Sequence, residues 1–303
     1  MTDFAEVTLT SWVTPLLLLW SIFLLDLWLG DPVYRFHPIR LIGSLLIYLE
    51  RWLFARGWNG YTGGILLGLL LLGIVLGCYF LLQKLFGSLH PVLGWSLDLY
   101  LGYSLLALRD LEIHGLRVWR ATAEGNLMAA REEISQLVGR DVERLDLAGC
   151  NRATLESLSE NLSDGVVSPL IWLTLVGIPG MLAFKVISTM DSMVGYRNSR
   201  YLRFGWFGAR ADDLMNWVPA RLTWVLLSIS AWVLPGYDGH MAWSIGLSQH
   251  QYMSGPNAGW GQAASAGALR VQLAGEKWKN GRLQNNAWLG HPDDPAQIGA
   301  DSI

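Results

Sequence analysis

The stretch that decides the fold is the run ILLGLLLLGIVLGCYFLL, residues 65–82, which contains no charged residue. A helix needs roughly 20 apolar residues to cross the hydrocarbon core of a bilayer, so we predict that this run is a transmembrane helix. Two pairs of glycines share a four-residue spacing here, Gly64 with Gly68 and Gly73 with Gly77. This spacing lets a second helix approach closely, and that helix can belong to the same chain or to a second copy.

Four more apolar runs lie on either side of this one. Two of them, residues 12–29 and 91–108, are long enough to be clear transmembrane helices. The other two are ambiguous, because residues 166–184 contain the helix-breaking sequence GIPG and residues 222–234 are few. A broken helix either crosses the bilayer with a kink or re-enters the same face. We favour re-entry for both, since it keeps the polar segments on the two sides of residues 166–184 on one face.

The composition agrees with a membrane protein. The chain is 52% hydrophobic and only 16% charged, whereas about 25% of the residues are charged in a typical soluble domain. Its formal net charge of -3 shows no basic excess, so it lacks the electrostatic footprint of a nucleic-acid-binding protein. We therefore expect the lipid bilayer as a partner and no nucleic acid.

The positive charges predict the orientation of the chain. Four arginines follow the first apolar run, Arg35, Arg40, Arg51 and Arg56, whereas the first fifteen residues contain no Lys or Arg. Because cytoplasmic loops carry an excess of positive charge, this loop should be cytoplasmic. We expect a multi-pass protein of the cytoplasmic (inner) membrane with its polar site facing the cytoplasm.

The predicted fold is an all-α, polytopic helical membrane protein with three clear transmembrane helices and two kinked or re-entrant segments. We expect residues 1–303 to form a single membrane-embedded domain. Its predicted parts are three transmembrane helices in 1–108, a cytoplasmic helical segment in 109–165, broken or re-entrant helices in 166–249 with a polar site loop at 185–216, and a carboxyl-terminal loop region in 250–303.

Three acids before residue 166 recur with helical spacing. Glu156, Glu160 and Asp164 are four residues apart and would share one face of a helix, with Arg152 in the same line and Asn161 beside it. Mg²⁺ binds oxygen ligands and commonly bridges one or two carboxylates to substrate phosphates. A solvated face with an Arg152 to Glu156 ion pair explains the same spacing without a metal.

A second polar segment follows residues 166–184. Its candidate residues are charged or carry amides, and they are Lys185, Asp191, Asn198, Arg210, Asp212, Asp213 and Asn216. Among these, Arg210 has the planar side chain that clamps anions with two hydrogen bonds. Further candidates lie in turns near the two ends of the chain, namely Asp31, His37, Arg40, Ser254 and Asn257. Ordinary turn formation explains those five residues equally well.

Short motifs alone do not identify the chemistry. The chain has no P-loop pattern and no dinucleotide-binding fingerprint. However, four long segments resemble the adenosylcobinamide-phosphate synthase family of cobalamin biosynthesis: DLWLGDPVYRFHPIRLIG from Asp26, GRDVERLDLAGCNRATLESLSENLSDGVVSPLIW from Gly139, the segment from Gly177 that begins GIPGMLAFKVISTMDSMVGYRNSR, and SGPNAGWGQAASAGALRVQL from Ser254. The later sequence NNAWLGHPDDPAQ follows the family only loosely.

The resemblance implies an enzyme that forms a carbon–nitrogen bond. Members of this family join aminopropanol or its phosphate to the propionate carboxyl of adenosylcobyric acid, giving adenosylcobinamide or its phosphate. ATP is the co-substrate of this acid–amine ligation and Mg²⁺ is the cofactor. The implied partners are therefore the corrinoid substrate and the amine.

The resemblance also implies roles for the candidate residues. We expect Glu156, Glu160, Asp164 and Asp212 to bind Mg²⁺, with Asp191 as an alternative last ligand. The expected catalytic residues are Lys185, Asp191, Arg210, Asp213 and Asn216. The expected substrate-binding residues are Asp31, His37, Arg40, Arg152, Asn161, Asn198, Ser254 and Asn257.

Two other classes of function compete with the ligase. A non-catalytic membrane sensor or regulatory scaffold, related to the membrane proteins that regulate β-lactamase, would have a similar pattern of spans. A transporter would also have broken helices, but we find no inverted repeat in the sequence. The phosphorylation of the amine, the way in which the nucleotide base is held, and homo-oligomer formation stay open at this stage.

Overall fold

The computed structural model describes residues 2–30, 34–279 and 281–299. These residues are mostly helical. The α-helices are α1 (Thr2–Leu29), α2 (Pro38–Phe54), α3 (Tyr61–Leu89), α4 (Pro91–Ser104), α5 (Leu108–Ala123), α6 (Leu127–Ser135), α7 (Leu147–Leu162), α8 (Ser168–Val176), α9 (Ile178–Val194), α10 (Trp206–Met215), α11 (Trp217–Val233), α12 (Gly239–Gln249) and α13 (Ala258–Leu269). A π-helical turn (Ser163–Val167), a 3₁₀ turn (His250–Tyr252) and the strands β1 (Leu273–Lys279) and β2 (Arg282–Leu289) complete the described elements.

The chain forms two compact units. The first unit consists of Met1–Arg109 and Ser168–Met215, and the second consists of Asp110–Val167 and Asn216–Ile303. Each unit therefore contains two separate stretches of sequence and is described here by itself.

Two helical segments are long and apolar enough to cross a membrane. Among the described residues these are Tyr61–Leu89, with a mean hydropathy of 2.8, and Pro91–Ala123, with a mean hydropathy of 1.2. Pro15–Leu29 and Trp217–Val233 are apolar helices of shorter length. The prediction of a helical protein with membrane-spanning helices is thus supported for two spans, while the third predicted span coincides with one of the shorter helices.

The first unit has a core of aliphatic and aromatic side chains from α2, α3 and α9 and from the loop before α10. Leu46, Leu67, Leu71 and Phe204 are fully buried in it. Helix α2, which the sequence did not predict, begins at Pro38, where a missing N–H costs no hydrogen bond.

Two glycines of α3 pack against other parts of the same unit. A side-chain carbon at Gly64 would collide with the carbonyl oxygen of Phe204, and one at Gly68 would collide with the ring of Phe207. The first predicted glycine pair is therefore explained by packing inside the chain. Gly73 and Gly77 have no described atom within 4 Å of such a carbon, so the second pair has no internal explanation.

The GIPG sequence breaks the helix, as predicted. Helix α8 ends at Val176, Gly177 has a φ of +75°, and α9 begins at Ile178 with Pro179 in its first turn. Glycine adopts this φ at little cost, and proline is tolerated at a helix start. Crossing or re-entry of this segment stays a prediction. By contrast, residues 222–234 lie almost wholly in the unbroken helix α11.

The second unit combines helices with a β-hairpin. Helix α7 packs against α13 and β1, and a side-chain carbon at Gly261 would lie only 2.7 Å from the carbonyl oxygen of Ser159. The two helices therefore approach closely because position 261 has no side chain. Asp146 caps the start of α7 by accepting a hydrogen bond of 2.7 Å from the Gly149 amide.

The hairpin corrects two expectations. The fold is not purely helical, and residues 250–303 are not only a loop region, because they contain α13 and the antiparallel pair β1–β2. Strand β1 has an irregular register between Ala274 and Glu276, with positive φ angles of 63° at Ala274 and 68° at Gly275. Such a bulge interrupts the alternation of apolar and polar residues by which a strand is recognised in a sequence.

Candidate functional site

Glu156 of α7 forms a buried ion pair inside the second unit. Its side chain keeps only 2% of its surface exposed and pairs with the guanidinium of Arg140. The other carboxylate oxygen accepts a hydrogen bond of 3.0 Å from the backbone amide of Ala274. Both oxygens of this predicted metal ligand therefore already connect α7 to the segment before it and to β1, which fits a structural anchor.

Glu160 lies one helical turn further along α7 and is placed differently. Its side chain is exposed, and its carboxylate accepts a hydrogen bond of 3.2 Å from Nε2 of Gln262 on α13. Burial nevertheless raises the pKa of Glu160; the positive charge of Lys277 opposes this, and the negative charge of Glu156 adds to it. Both observations fit a carboxylate that has protein nearby on several sides and keeps part of its surface open to solvent.

Gln262 brings a buried acceptor to the same place. Its side chain is 3% exposed, and within the described part of the chain its Oε1 has no hydrogen-bond partner. Buried polar atoms are nearly always paired, because an unpaired one costs free energy. We call Glu160, Gln262 and Lys277 the Glu160 cluster.

The neighbours of these acids have local partners. Nδ2 of Asn161 donates to the carbonyl oxygen of Ser157 at 2.9 Å. Nη1 of Arg152 donates to the carbonyl oxygen of Ala296 at 3.1 Å, not to Glu156 as the alternative explanation of the spacing required. Asp164 lies on the π-helical turn beyond the end of α7, so the predicted α-helical line of acids extends only from Glu156 to Glu160.

The first unit contains a second group of predicted residues. Burial raises the pKa of Asp191 on α9, and the negative charge of Asp213 on α10 raises it further. Burial also raises the pKa of Asp213, while Arg210 and Arg197 oppose that shift. Nη1 of Arg210 lies 3.3 Å from Oδ2 of Asp213. The structure thus brings two predicted acids and one predicted arginine together, with Arg197 as an addition.

Two other predicted residues, Asp212 and Lys185, also lie on these helices. Asp212 is partly buried on α10. Nζ of Lys185 on α9 lies 6.0 Å from the centre of the Phe184 ring.

Three of the predicted binding residues of the first unit, Asn198, His37 and Arg40, are among the described residues. Oδ1 of Asn198 accepts hydrogen bonds from the amides of Arg200 and Tyr201 at 3.1 and 2.9 Å, which stabilises the loop before α10. His37 is buried at the start of α2, and Arg40 is exposed on that helix. Asp31 lies outside the described residues.

The remaining predicted residues belong to the second unit. Asn216 is buried at the start of α11, and Asn257 precedes α13. Ser254 is exposed in the loop that leads to α13. Both asparagines therefore stand at helix starts, although neither side chain accepts a capping hydrogen bond from its helix.

A comparison with protein families identifies the chain. Residues 19–302 match the family described as CobD/Cbib protein. The chain belongs to the CobD/CbiB family. The predicted family resemblance is thereby confirmed over almost the whole sequence.

Curated relatives of the CobD/CbiB family agree with this result. The cobalamin biosynthesis protein CobD of Yersinia enterocolitica is 39% identical over 299 residues, which cover 98% of this chain and 91% of the relative. The CobD of Geobacter metallireducens is 42% identical over 90% of this chain and 85% of its own length. The cobalamin biosynthesis protein CbiB of Salmonella choleraesuis is 36% identical over 95% and 91% of the two chains. No solved structure matches the chain.

The described side chains of this CobD/CbiB family member do not by themselves form a complete metal-binding site. Among the described residues, no group of three or more His, Cys, Asp or Glu side chains is arranged to hold a metal ion. Mg²⁺ usually keeps several waters and binds one or two carboxylates together with substrate phosphates. The Asp191–Asp213 pair has the donor atoms for that mode. The magnesium prediction for Glu156, Glu160, Asp164 and Asp212 stays a prediction.

Sequence reasoning missed three residues near Glu160. Gln262 and Lys277 come from segments far from α7 in sequence, whereas Arg140 lies in the segment just before α7, and all three act on the α7 acids only in the folded second unit. The signal that could have indicated Gln262 is its position in GWGQAASAGA, where a long amide interrupts a run of mostly small residues.

Proposed function

We propose that this chain acts in cobalamin biosynthesis as a membrane-bound acid–amine ligase. It would join aminopropanol or its phosphate to the propionate carboxyl of adenosylcobyric acid, at the expense of ATP. The observation that carries the proposal is the Glu160 cluster, in a chain whose curated relatives are named cobalamin biosynthesis proteins. A solvent-accessible carboxylate beside a buried amide oxygen that has no hydrogen-bond partner among the described residues suits a substrate that brings N–H donors.

The proposed reaction needs an activated carboxyl group, because a carboxylate does not react readily with an amine at neutral pH. Transfer of the γ-phosphoryl group of ATP to the propionate would give an acyl phosphate and ADP. The amine would then attack the acyl carbon, a C–N bond would form, and phosphate would leave with the electrons of the C–O bond. The nitrogen loses one proton in this step, and a nearby carboxylate can accept it.

The Asp191–Asp213 pair and its arginines suit the phosphoryl-transfer step. Arg210 lies 3.3 Å from Asp213, and the charge of Arg197 also acts on that carboxylate. Arginines bind phosphoryl oxygens with two parallel hydrogen bonds. Mg²⁺, when bound to the carboxylates, would neutralise phosphoryl charge. We propose Lys185 as a further cation for this step.

The proposed setting is the cytoplasmic membrane, with the site open to the cytoplasm, where ATP is available. The apolar helices Tyr61–Leu89 and Pro91–Ala123 support membrane insertion. The arginines before α3 support the orientation, because positive loops stay on the cytoplasmic side.

The full chain, purified in detergent, tests the function. It is incubated with adenosylcobyric acid, ATP, Mg²⁺ and either aminopropanol or its phosphate, and the products are analysed by mass spectrometry. The ligase predicts a new amide product and one ADP for each amide formed. Absence of the amide with both amines, from a protein that still melts cooperatively, would contradict it and would favour the regulatory scaffold.

A further inference from the structure

One arginine of the second unit lies in an apolar helix without an acidic partner. Arg221 follows the start of α11 by one turn, and its Nη1 donates a hydrogen bond to the backbone carbonyl oxygen of Trp217. Among the described residues, no Asp or Glu side chain forms an ion pair with this guanidinium. A charged group in apolar surroundings is costly, so this arginine marks a candidate binding site.

Two indole rings fix the position of the guanidinium. Cζ of Arg221 lies 4.0 Å from the ring centre of Trp217 and 5.0 Å from the ring centre of Trp260 on α13. A cation is attracted to the face of an indole ring, but the ring does not neutralise its charge. The positive charge of Arg221 is therefore held in place and still lacks a counter-charge among the described residues.

Trp260 adds a second donor to the same place. It is 7% exposed, and its Nε1 has no hydrogen-bond partner among the described residues. An indole nitrogen can only donate, and buried donors nearly always have an acceptor. Because Nε1 belongs to a ring that Arg221 contacts, an oxyanion bound by Arg221 lies within reach of this donor. A guanidinium and an N–H that converge in this way suit a phosphate group.

The surroundings of Arg221 indicate which kind of phosphate fits. Exposed apolar side chains continue along α11, at Val218, Leu222, Leu226 and Ile229. Trp217 and Trp232, at or near the two ends of this helix, are also exposed, and tryptophan is enriched where a helix meets the membrane interface. An anion at Arg221 therefore lies next to a surface that suits acyl chains.

We propose that Arg221 and Trp260 bind the headgroup phosphate of an anionic phospholipid, whose acyl chains lie along the exposed apolar side chains of α11. Since no described acid pairs with Arg221, the site offers a cation for the phosphate and no partner for the amine of a zwitterionic headgroup. Phosphatidylglycerol, which has no amine, therefore suits the site better than phosphatidylcholine. This inference goes beyond the proposed ligase reaction and does not depend on it.

Lipid binding to the full chain in detergent tests the inference. Native mass spectrometry measures the affinity of the first bound molecule of dioleoyl phosphatidylglycerol and, separately, of dioleoyl phosphatidylcholine. We expect phosphatidylglycerol to bind at least fivefold more tightly, and equal affinities would overturn the inference. Inorganic phosphate, added as a competitor, should leave phosphatidylglycerol bound. Displacement by inorganic phosphate would show a site for free phosphate and would overturn the assignment to a lipid.

Two variants assign the contacts. Arg221→Gln should reduce the preference for phosphatidylglycerol to less than twofold, because it removes the positive charge. Trp260→Phe keeps an aromatic ring and removes the N–H, so it should weaken binding of phosphatidylglycerol at least threefold. Arg282→Gln is the matched control, since Arg282 is an exposed arginine of the same unit on β2, and it should bind both lipids like the unmodified protein.

The outcomes decide the inference without reference to the ligase. A full preference retained by Arg221→Gln, unchanged binding by Trp260→Phe, or an equal loss of preference in Arg282→Gln would each overturn it. If Arg221→Gln does not melt cooperatively, Trp260→Phe alone decides. Amide formation by the full chain is a separate measurement, so a protein that makes no amide can still show the lipid preference, and an active ligase can lack it.

Discussion

The acids on α7 and the acids on α9 and α10 are both carboxylate pairs, yet they are built in opposite ways. On α7, Glu156 is fixed by Arg140 and the Ala274 amide, while Glu160 stays open to solvent. On α9 and α10, Asp191 and Asp213 are both partly buried, and the charges of Arg210 and Arg197 act on Asp213. The α7 acids thus differ from each other in their contacts and exposure, whereas the acids on α9 and α10 are similar in exposure.

The largest expected effect comes from breaking the anchor. Glu156→Gln removes the negative partner of Arg140, which is itself only 13% exposed. Breaking a buried ion pair by removing one partner costs about 3–5 kcal/mol, because the other charge is left uncompensated. Thermal unfolding in detergent should show a markedly lower midpoint.

The double variant Arg140→Gln with Glu156→Gln is the control for this prediction. It removes both charges, so it should recover part of the lost stability. If Glu156→Gln alone were as stable as the unmodified protein, Glu156 would not be the structural anchor that distinguishes it from Glu160.

The next largest effect tests the helix packing of the first unit. Gly64→Ala places a methyl group against the Phe204 carbonyl, whereas Gly73→Ala places one where no described atom is near. Overpacking costs about 1–3 kcal/mol, so Gly64→Ala should lower the unfolding midpoint, and Gly73→Ala, in the same helix, should not. Equal effects of the two substitutions would refute the assignment of the first glycine pair to internal packing.

A smaller effect is expected at the second carboxylate pair. Asp213 forms an exposed ion pair with Arg210, whose side chain is 62% exposed, and such pairs contribute at most about 1 kcal/mol. Asp213→Asn should therefore change the stability little, while the proposed function predicts a large loss of amide formation. Stability and product yield are measured on the same preparation. If Asp213→Asn lost as much stability as Glu156→Gln, the second carboxylate pair would be as important for the fold as the first.

The smallest expected change concerns the pH dependence of stability. Since burial raises the pKa of Glu160 above its ordinary value near 4.5, the folded state holds this proton at pH values where the unfolded state has lost it. Its ionisation therefore lowers stability as the pH rises through the folded-state pKa.

The variant Glu160→Gln cannot ionise at this position, so it should match the unmodified protein at pH 4 and become relatively more stable as the pH rises. Unfolding midpoints measured from pH 4 to pH 8 check this. If the difference between the unfolding midpoints of the two proteins were constant over that range, the pKa of Glu160 would not be raised in the folded state.

Much of the fold could be predicted from local sequence. The run at 65–82, the broken helix at Gly177 and the helical face shared by Glu156 and Glu160 depend on composition and on spacing within one helix. The hairpin could not be predicted, because the bulge at Ala274 and Gly275 interrupts the alternating pattern of a strand.

The candidate site could be predicted only in part. The acids were visible from their spacing, but spacing does not tell which acid is neutralised by a partner from elsewhere. Arg140 makes Glu156 an anchor, Gln262 donates a hydrogen bond to Glu160, and the charge of Lys277 acts on Glu160, all of which happens only after folding. Lys277, for example, is more than a hundred positions from Glu160.

The bulge in β1 also has a consequence for biosynthesis. The Ala274 amide donates a hydrogen bond to Glu156. Ala274 is translated more than a hundred residues after the end of α7. Until then Arg140 has been translated and can pair with Glu156, whereas Ala274 and Lys277 have not been translated. The hydrogen bonds of Glu156 to the Ala274 amide and of Glu160 to Gln262 can therefore form only near the end of translation, long after the apolar helix α3 has been synthesised.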